Sequence, residues 1–297
     1  MDKKIANFHN TKSILNKYNV RLNKNLGQHF LIDNEIMRKI IAVSELNGEE
    51  FVLEIGSGIG SLTQYLLQAL DKGKLLAIEK DSRFIKILKD QFKDYDNLEI
   101  LNMDVLQVNW QEIIEKYNLD DKNIKIIANL PYYITTPIIE SLLFSPLKIK
   151  EMTFMMQREV AERLAASPGT KAFGSLSVFI QFHYKTDIKF EVPPSAFLPK
   201  PEVHSSIIKL TPYSKSPYNV TNKDFFFEVV RAIFNLRRKN IKNSLTLSPH
   251  VSLDKETILM GLKECGIDKR IRGEKLSIAQ MVSLSNVFWE LKSEKEW

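Results

Sequence analysis

The 297-residue chain has a single cysteine, Cys265. That excludes an intramolecular disulfide and leaves cysteine-rich zinc sites and iron–sulfur clusters without ligands; a reducing, cytoplasmic setting suits it. Histidine is scarce too. The five residues, at 9, 29, 183, 204 and 250, show no pair at metal-ligand spacing, so no metal is expected. No apolar run reaches the roughly 18 residues of a membrane span. The first twenty residues have no apolar core and no small-residue cleavage site, so no secretory signal is expected. No Gly-Lys-Ser/Thr follows the one glycine cluster, which argues against a P-loop and ATP hydrolysis.

What is present is charge of uneven distribution. The total is 42 basic against 36 acidic residues, net +6. Residues 1–30 carry net +5, residues 31–212 net −4 and residues 213–297 net +5. An acidic middle flanked by basic ends suggests that the ends hold a polyanion while the middle does chemistry.

The middle alternates strand and helix patterns. Apolar runs at 51–55, 74–79, 98–104, 124–132 and 150–156 read as strands, and helical spacing fills the gaps around 61–70, 82–92, 109–117 and 136–144. Such alternation predicts an α/β fold with a parallel sheet covered on both faces. Two further helical stretches follow 157. The segment from Phe190 to Leu210 reads as strand, Pro-rich turn, strand, closing the sheet with an antiparallel hairpin. The Pro/Ser/Asn-rich stretch 211–222 sets the expected boundary. The chain is therefore expected to divide into a basic N-terminal segment (1–30), a catalytic domain (31–212) and a small all-helical domain (213–297).

The first strand ends in Glu54-Ile55-Gly56-Ser57-Gly58-Ile59-Gly60. Glycines at a strand–helix turn let backbone N–H groups approach a ligand, so Gly56 and Gly58 are candidate cofactor contacts. Glu79 ends the next strand, at the offset of an acid that accepts ribose hydroxyls. Asp104 ends the third, where a carboxylate can accept the adenine amino group. Together these describe a bound adenosine, which either NAD or S-adenosylmethionine would supply. The fourth strand separates the two, because it ends Asn129-Leu130-Pro131-Tyr132. The Asn129 side-chain oxygen and the Leu130 carbonyl could accept both N–H bonds of an exocyclic amine, favouring a tetrahedral nitrogen that faces a methyl sulfonium. Pro131 fixes φ and removes a competing donor. Tyr132 offers a face for the base. An NAD-linked oxidoreductase is thereby disfavoured.

On these residues, with Asn25-Leu26-Gly27-Gln28-His29-Phe30-Leu31, the Pro193–Ser205 segment and Phe234-Asn235-Leu236-Arg237-Arg238-Lys239, the chain resembles the small-subunit ribosomal RNA adenine dimethyltransferases from about residue 20 to its C-terminus. The resemblance implies a Rossmann-like methyltransferase domain with a helical C-terminal domain and S-adenosylmethionine as donor. It also implies dimethylation at N6 of two adjacent adenosines near the 3′ end of 16S rRNA, within the 30S subunit or its precursor, by a monomer. His29 and Leu31 would cover the methionine end of the cofactor, although many relatives have Asn where His29 stands. Asn129 would border both cofactor and target amine, and Phe197 would sandwich the target base against Tyr132. The basic run 231–245, with Arg237, Arg238, Lys239 and Lys242, would bind the RNA backbone. The alternative is a large-subunit rRNA methylase of the macrolide-resistance type, and a third reading is a non-catalytic assembly factor on the same fold.

Overall fold

The computed structural model describes residues 4–22, 28–119 and 124–295. Of the segments expected to matter, Asn25-Leu26-Gly27 lies outside the described residues. The chain forms two compact units, one from residues 1–161 and 187–212, the other from 162–186 and 213–297.

The first unit opens with helix α1 (Phe8–Lys17), capped by the Asn7 side chain, which accepts the His9 and Asn10 N–H groups. A two-residue strand β1 (Phe30–Leu31) leads to α2 (Asn34–Val43), capped in the same way by Asp33. Then come β2 (Phe51–Ile55), α3 (Ser61–Ala69), β3 (Lys74–Glu79), α4 (Ser82–Gln91), β4 (Leu98–Asn102), α5 (Trp110–Tyr117), β5 (Ile124–Asn129), α6 (Thr135–Leu143) and β6 (Ile149–Gln157). Helices α7 (Arg158–Leu164) and α8 (Ser175–His183) precede β7 (Tyr184–Val192), the short β8 (Phe197–Leu198) and β9 (Ser205–Pro212).

Seven strands form one sheet in the order β4-β3-β2-β5-β6-β9-β7. Strands β2 to β6 run parallel, and β9 lies antiparallel to β6, as the Pro-rich hairpin leads one to expect. Strands β2, β3 and β5 are buried along nearly their whole length, which explains their mainly apolar runs, and six successive residues of β6 are buried beside them. Chain order reverses between β2 and β5, and the carboxyl ends of parallel strands open a crevice at such a switch point. Ile55 pairs with Ile78 on one side and Ala128 on the other, so Gly56, Glu79 and Asn129 follow at one level. Asp104 is different. Strand β4 stops at Asn102, and Asp104 instead caps a 3-10 turn (Val105–Gln107) by accepting the Leu106 N–H.

At the end of the sheet away from the crevice, two buried lysines hold the end of α2. Lys125 Nζ donates to the carbonyls of Ser44 (2.7 Å) and Glu45 (2.6 Å) and lies 3.6 Å from Glu50. Lys209 Nζ donates to the Val43 carbonyl at 3.1 Å and pairs with Glu151 at 2.7 Å. Helix C-termini leave carbonyls unsatisfied, and a cation there also meets the negative end of the helix dipole.

The second unit holds α7 in part, α8, α9 (Lys223–Asn235), α10 (Ile241–Thr246), α11 (Lys255–Glu264) and α12 (Ile278–Lys295). The expected division at 212/213 needs correction. Phe173, Val178 and Phe182 of the 162–186 segment share one core with Phe226, Val230, Ile258, Met281 and Phe288. Phe179 of α8 stacks on Phe227 of α9, with ring centres 4.4 Å apart and planes at 10°. The apolar face of α8 thus completes a helical core that residues 213–297 alone leave open.

Candidate active site

A cavity of about 410 Å³ opens at the switch point, within the usual range for a small-molecule site. Its walls include His29, Leu31, Gly56, Gly58, Glu79, Asp104, Asn129, Leu130, Pro131 and Tyr132. All the residues expected to hold the cofactor therefore meet in one place, although they come from five separate segments.

The glycines have distinct reasons. Gly56 sits at φ +74°, and a Cβ there would stand 3.7 Å from the Asn129 carbonyl, on the cavity side. Gly58 is at φ +54°, and a Cβ would press to 2.7 Å of the Phe30 ring. Its missing side chain thus makes room for β1 as well as for a ligand. The Gly58 N–H donates to Glu79 Oε2 at 2.8 Å, while Glu79 Oε1 accepts the Asp81 N–H at 2.7 Å. Glu79 is thereby aimed into the glycine turn. Burial raises its pKa above the usual carboxylate value, and the two N–H bonds oppose that rise.

Asp104 carries a second partner besides its cap: Lys80 Nζ at 2.8 Å. Its hydrogen bond from Lys80 lowers the Asp104 pKa below the ordinary range. Glu54, the lone acid in the strand Phe51–Ile55, also lines the cavity. Burial pushes its pKa up to about 8 despite the 2.7 Å hydrogen bond donated by Thr63. Ser61, at the start of α3, lines the cavity with its buried hydroxyl unpartnered among the described residues. An orphaned hydroxyl, an open glycine face and a carboxylate aimed into the turn fit a ligand with polar groups along its length, such as an adenosine-bearing cofactor.

At the other end of the cavity, the Asn129 side-chain N–H donates to the His29 carbonyl at 3.2 Å. The Leu130 N–H donates to the Met155 carbonyl at 2.9 Å, which fixes the Asn129–Leu130 peptide just before Pro131. Tyr132 Oη shares a 2.6 Å hydrogen bond with Ser205 Oγ, and burial raises the Tyr132 pKa. The His29 ring stacks on Tyr132 at 5.6 Å and 23°, its Nδ1 held 2.7 Å from the Pro199 carbonyl.

Phe197 is not brought into the cavity wall. It is 3% exposed, pairs with Leu31 in the β1–β8 ribbon and belongs to the core of the first unit. The ring over Tyr132 is His29. Arg237, Arg238, Lys239 and Lys242 lie in the second unit at the α9–α10 turn and on α10, the first three exposed and Lys242 half-buried.

Sequence reading missed Glu54, Ser61, Lys80, Asp81 and Tyr133, all on the cavity wall. Three of them had a signal. Glu54 is an acid inside an apolar strand, and Lys80-Asp81 continues the charged run begun by Glu79. Among the described residues no cluster of His, Cys, Asp and Glu could hold a metal ion, and no helix is long and apolar enough to cross a membrane.

Comparison with known proteins points the same way. Residues 19–290 match the family model described as ribosomal RNA adenine dimethylase. The ribosomal RNA small subunit methyltransferase A of Halothermothrix orenii is 49% identical over 100% of this chain and 98% of its own. Its counterpart in Clostridium botulinum is 43% identical over 95% of this chain and 99% of its own. Among solved structures, a dimethyladenosine transferase from Plasmodium falciparum superposes with TM-score 0.73 at 26% identity, covering 90% of this chain and 98% of that one. The 23S rRNA methyltransferase ErmE superposes with TM-score 0.67 over 87% of this chain and 99% of that one; at 23% identity it speaks for the fold alone.

Proposed function

Because the chain belongs to the ribosomal RNA adenine dimethylase family, we propose that it dimethylates N6 of two adjacent adenosines near the 3′ end of 16S rRNA, with S-adenosylmethionine as donor. The substrate is the 30S subunit or its precursor, and the enzyme acts as a cytoplasmic monomer during subunit maturation. Relatives at 49% and 43% identity named for the small subunit support this reading over the large-subunit alternative.

The observation that carries the chemistry is the fixed end of β5. With its N–H bound to His29, the Asn129 amide has its oxygen left as the acceptor. That oxygen and the Leu130 carbonyl take the two N–H bonds of the target amine and draw its lone pair out of the ring. Tyr132, tied to Ser205, supplies a wall for a base that has left its helix. Glu79 takes the ribose hydroxyls, Asp104 the adenine amino group, and Gly56 lies beneath the cofactor. S-adenosylmethionine supplies an electrophilic methyl group when bound. The chain's own work is positioning and exclusion of water, so no strong base is needed. After one methylation the amine keeps one N–H, and either acceptor can hold it for the second.

Tritiated S-adenosylmethionine offered separately to unmethylated 30S and 50S subunits, followed by nucleoside analysis, tests the reading. Labelled N6,N6-dimethyladenosine in 16S rRNA is expected; label in 23S rRNA instead would overturn it.

A further inference from the structure

Arg237 does not behave as a free phosphate ligand. Its Nη2 donates to the backbone carbonyls of Lys171 (2.7 Å) and Phe173 (3.2 Å), and Glu274 stands 4.0 Å away. The guanidinium thus joins the turn after α9 to a loop 66 residues earlier. A third segment arrives at the same loop. The Gly169 N–H donates to the Glu274 carbonyl at 2.6 Å, and Lys275 Nζ comes within 3.8 Å of the position a Gly169 Cβ would occupy. Three stretches distant in sequence are therefore tied into one surface of the second unit. Lys171, Arg238, Lys239 and Lys275 are all exposed on these stretches. None of the four takes part in an ion pair among the described residues, whereas the charge of Arg237 already faces Glu274.

We propose that Lys171 and Lys275 are RNA-phosphate ligands, forming one composite surface with Arg238 and Lys239, and that Arg237 is the positioning residue that holds the three segments together. This rests on the reading of the second unit as RNA-binding. Four unneutralised cations on one face suit a folded phosphate backbone, because each phosphate they neutralise releases counterion. A lysine is a poor replacement for Arg237, because its side chain is one atom shorter and its ammonium stops short of the point where Nη2 meets both carbonyls.

Filter binding of unmethylated 30S subunits across a salt series tests the proposal on the full-length protein. Lys171→Ala, Lys275→Ala and Lys239→Ala should each flatten the slope of log affinity against log salt by roughly 0.7–0.9, with unaltered melting temperature. Arg237→Lys keeps the charge, yet it should also flatten the slope, because the flanking loops lose their anchor. If Lys239→Ala flattens the slope and either Lys171→Ala or Lys275→Ala does not, the composite surface is wrong and the RNA reading survives. If no variant flattens it, the RNA reading of this unit fails and the proposal with it. A wild-type slope in Arg237→Lys overturns the positioning role.

Discussion

The Asn129 side chain donates its N–H to the His29 carbonyl, 100 residues away in sequence, at 3.2 Å. An amide can present either its oxygen or its nitrogen to a substrate, and this bond decides which. The segment before α2 therefore sets which end of the Asn129 amide is free at the end of β5.

Asn129→Ala removes that acceptor. Methyl transfer at saturating RNA should fall about 100-fold or more, as for loss of a group whose contact matures in the transition state. Affinity for 30S subunits should stay nearly unchanged. Single-turnover rates beside filter binding check this; a near-normal rate would refute the role.

Glu79→Ala removes the carboxylate that organises the glycine turn. Affinity for S-adenosylmethionine should weaken by about 1.5–3 kcal/mol, the scale of hydrogen bonds to a charged acceptor. Calorimetry decides, and unchanged affinity would remove Glu79 from the ribose site.

Glu54 makes stability depend on pH in an unusual direction. Its pKa is about 8 in the folded protein and starts from an ordinary value of 4.5. The folded state therefore binds the proton more tightly than the unfolded one. The contribution is fully present below pH 4.5 and is lost as pH rises towards 8, at up to about 1.4 kcal/mol per pH unit. Urea midpoints of Glu54→Gln should fall less than wild type over that window. Parallel profiles would show that Glu54 titrates normally.

Phe197→Ala should cost about 3–5 kcal/mol of stability, the usual penalty for emptying a buried phenylalanine site. A ring serving only as a base wall would leave stability intact and reduce activity alone. Urea denaturation beside the single-turnover rate separates the two.

Lys125→Met keeps an apolar stem but leaves Glu50 buried without its cation and the Ser44 and Glu45 carbonyls, just past α2, without a donor. Breaking a buried pair this way should destabilise by about 3–5 kcal/mol. A denaturation midpoint equal to wild type would show that water replaces the ammonium at no loss.

The parallel strands and the residues that line the crevice at their ends were legible in the sequence, because burial on both faces writes a strand as an unbroken apolar run and the next residue is then the one at the crevice. Glu79 and Asn129 were found in this way. Asp104 was assigned to a strand end and proves to cap a turn two residues beyond it: β4 stops at Asn102, although the Met103 N–H still donates to the Glu79 carbonyl. Helix α2 went unread although Asp33 caps it and Ile36, Met37 and Ile40 mark its buried face. Its anchors, Lys125 and Lys209, look like interruptions of apolar strands until the carbonyls they serve are known. Phe197 was misplaced for a related reason: an aromatic beside a proline turn reads the same whether it faces a ligand or the core. The pairing of 162–186 with the C-terminal helices left no local mark, because an apolar helix face does not say which partner covers it.

That shared helical core also sets an order for synthesis. Residues 162–186 leave the ribosome before β9 is made, yet Phe173, Val178 and Phe182 are covered by residues from 225 onward. At about 5–20 residues per second, helix α8 waits several seconds for α9 and longer for α12. During that interval a greasy helix hangs from a nearly complete sheet. A stalled or truncated chain ending near residue 212 would keep it bare, so such a fragment is expected to be a chaperone client or to aggregate, rather than to persist as a free catalytic domain.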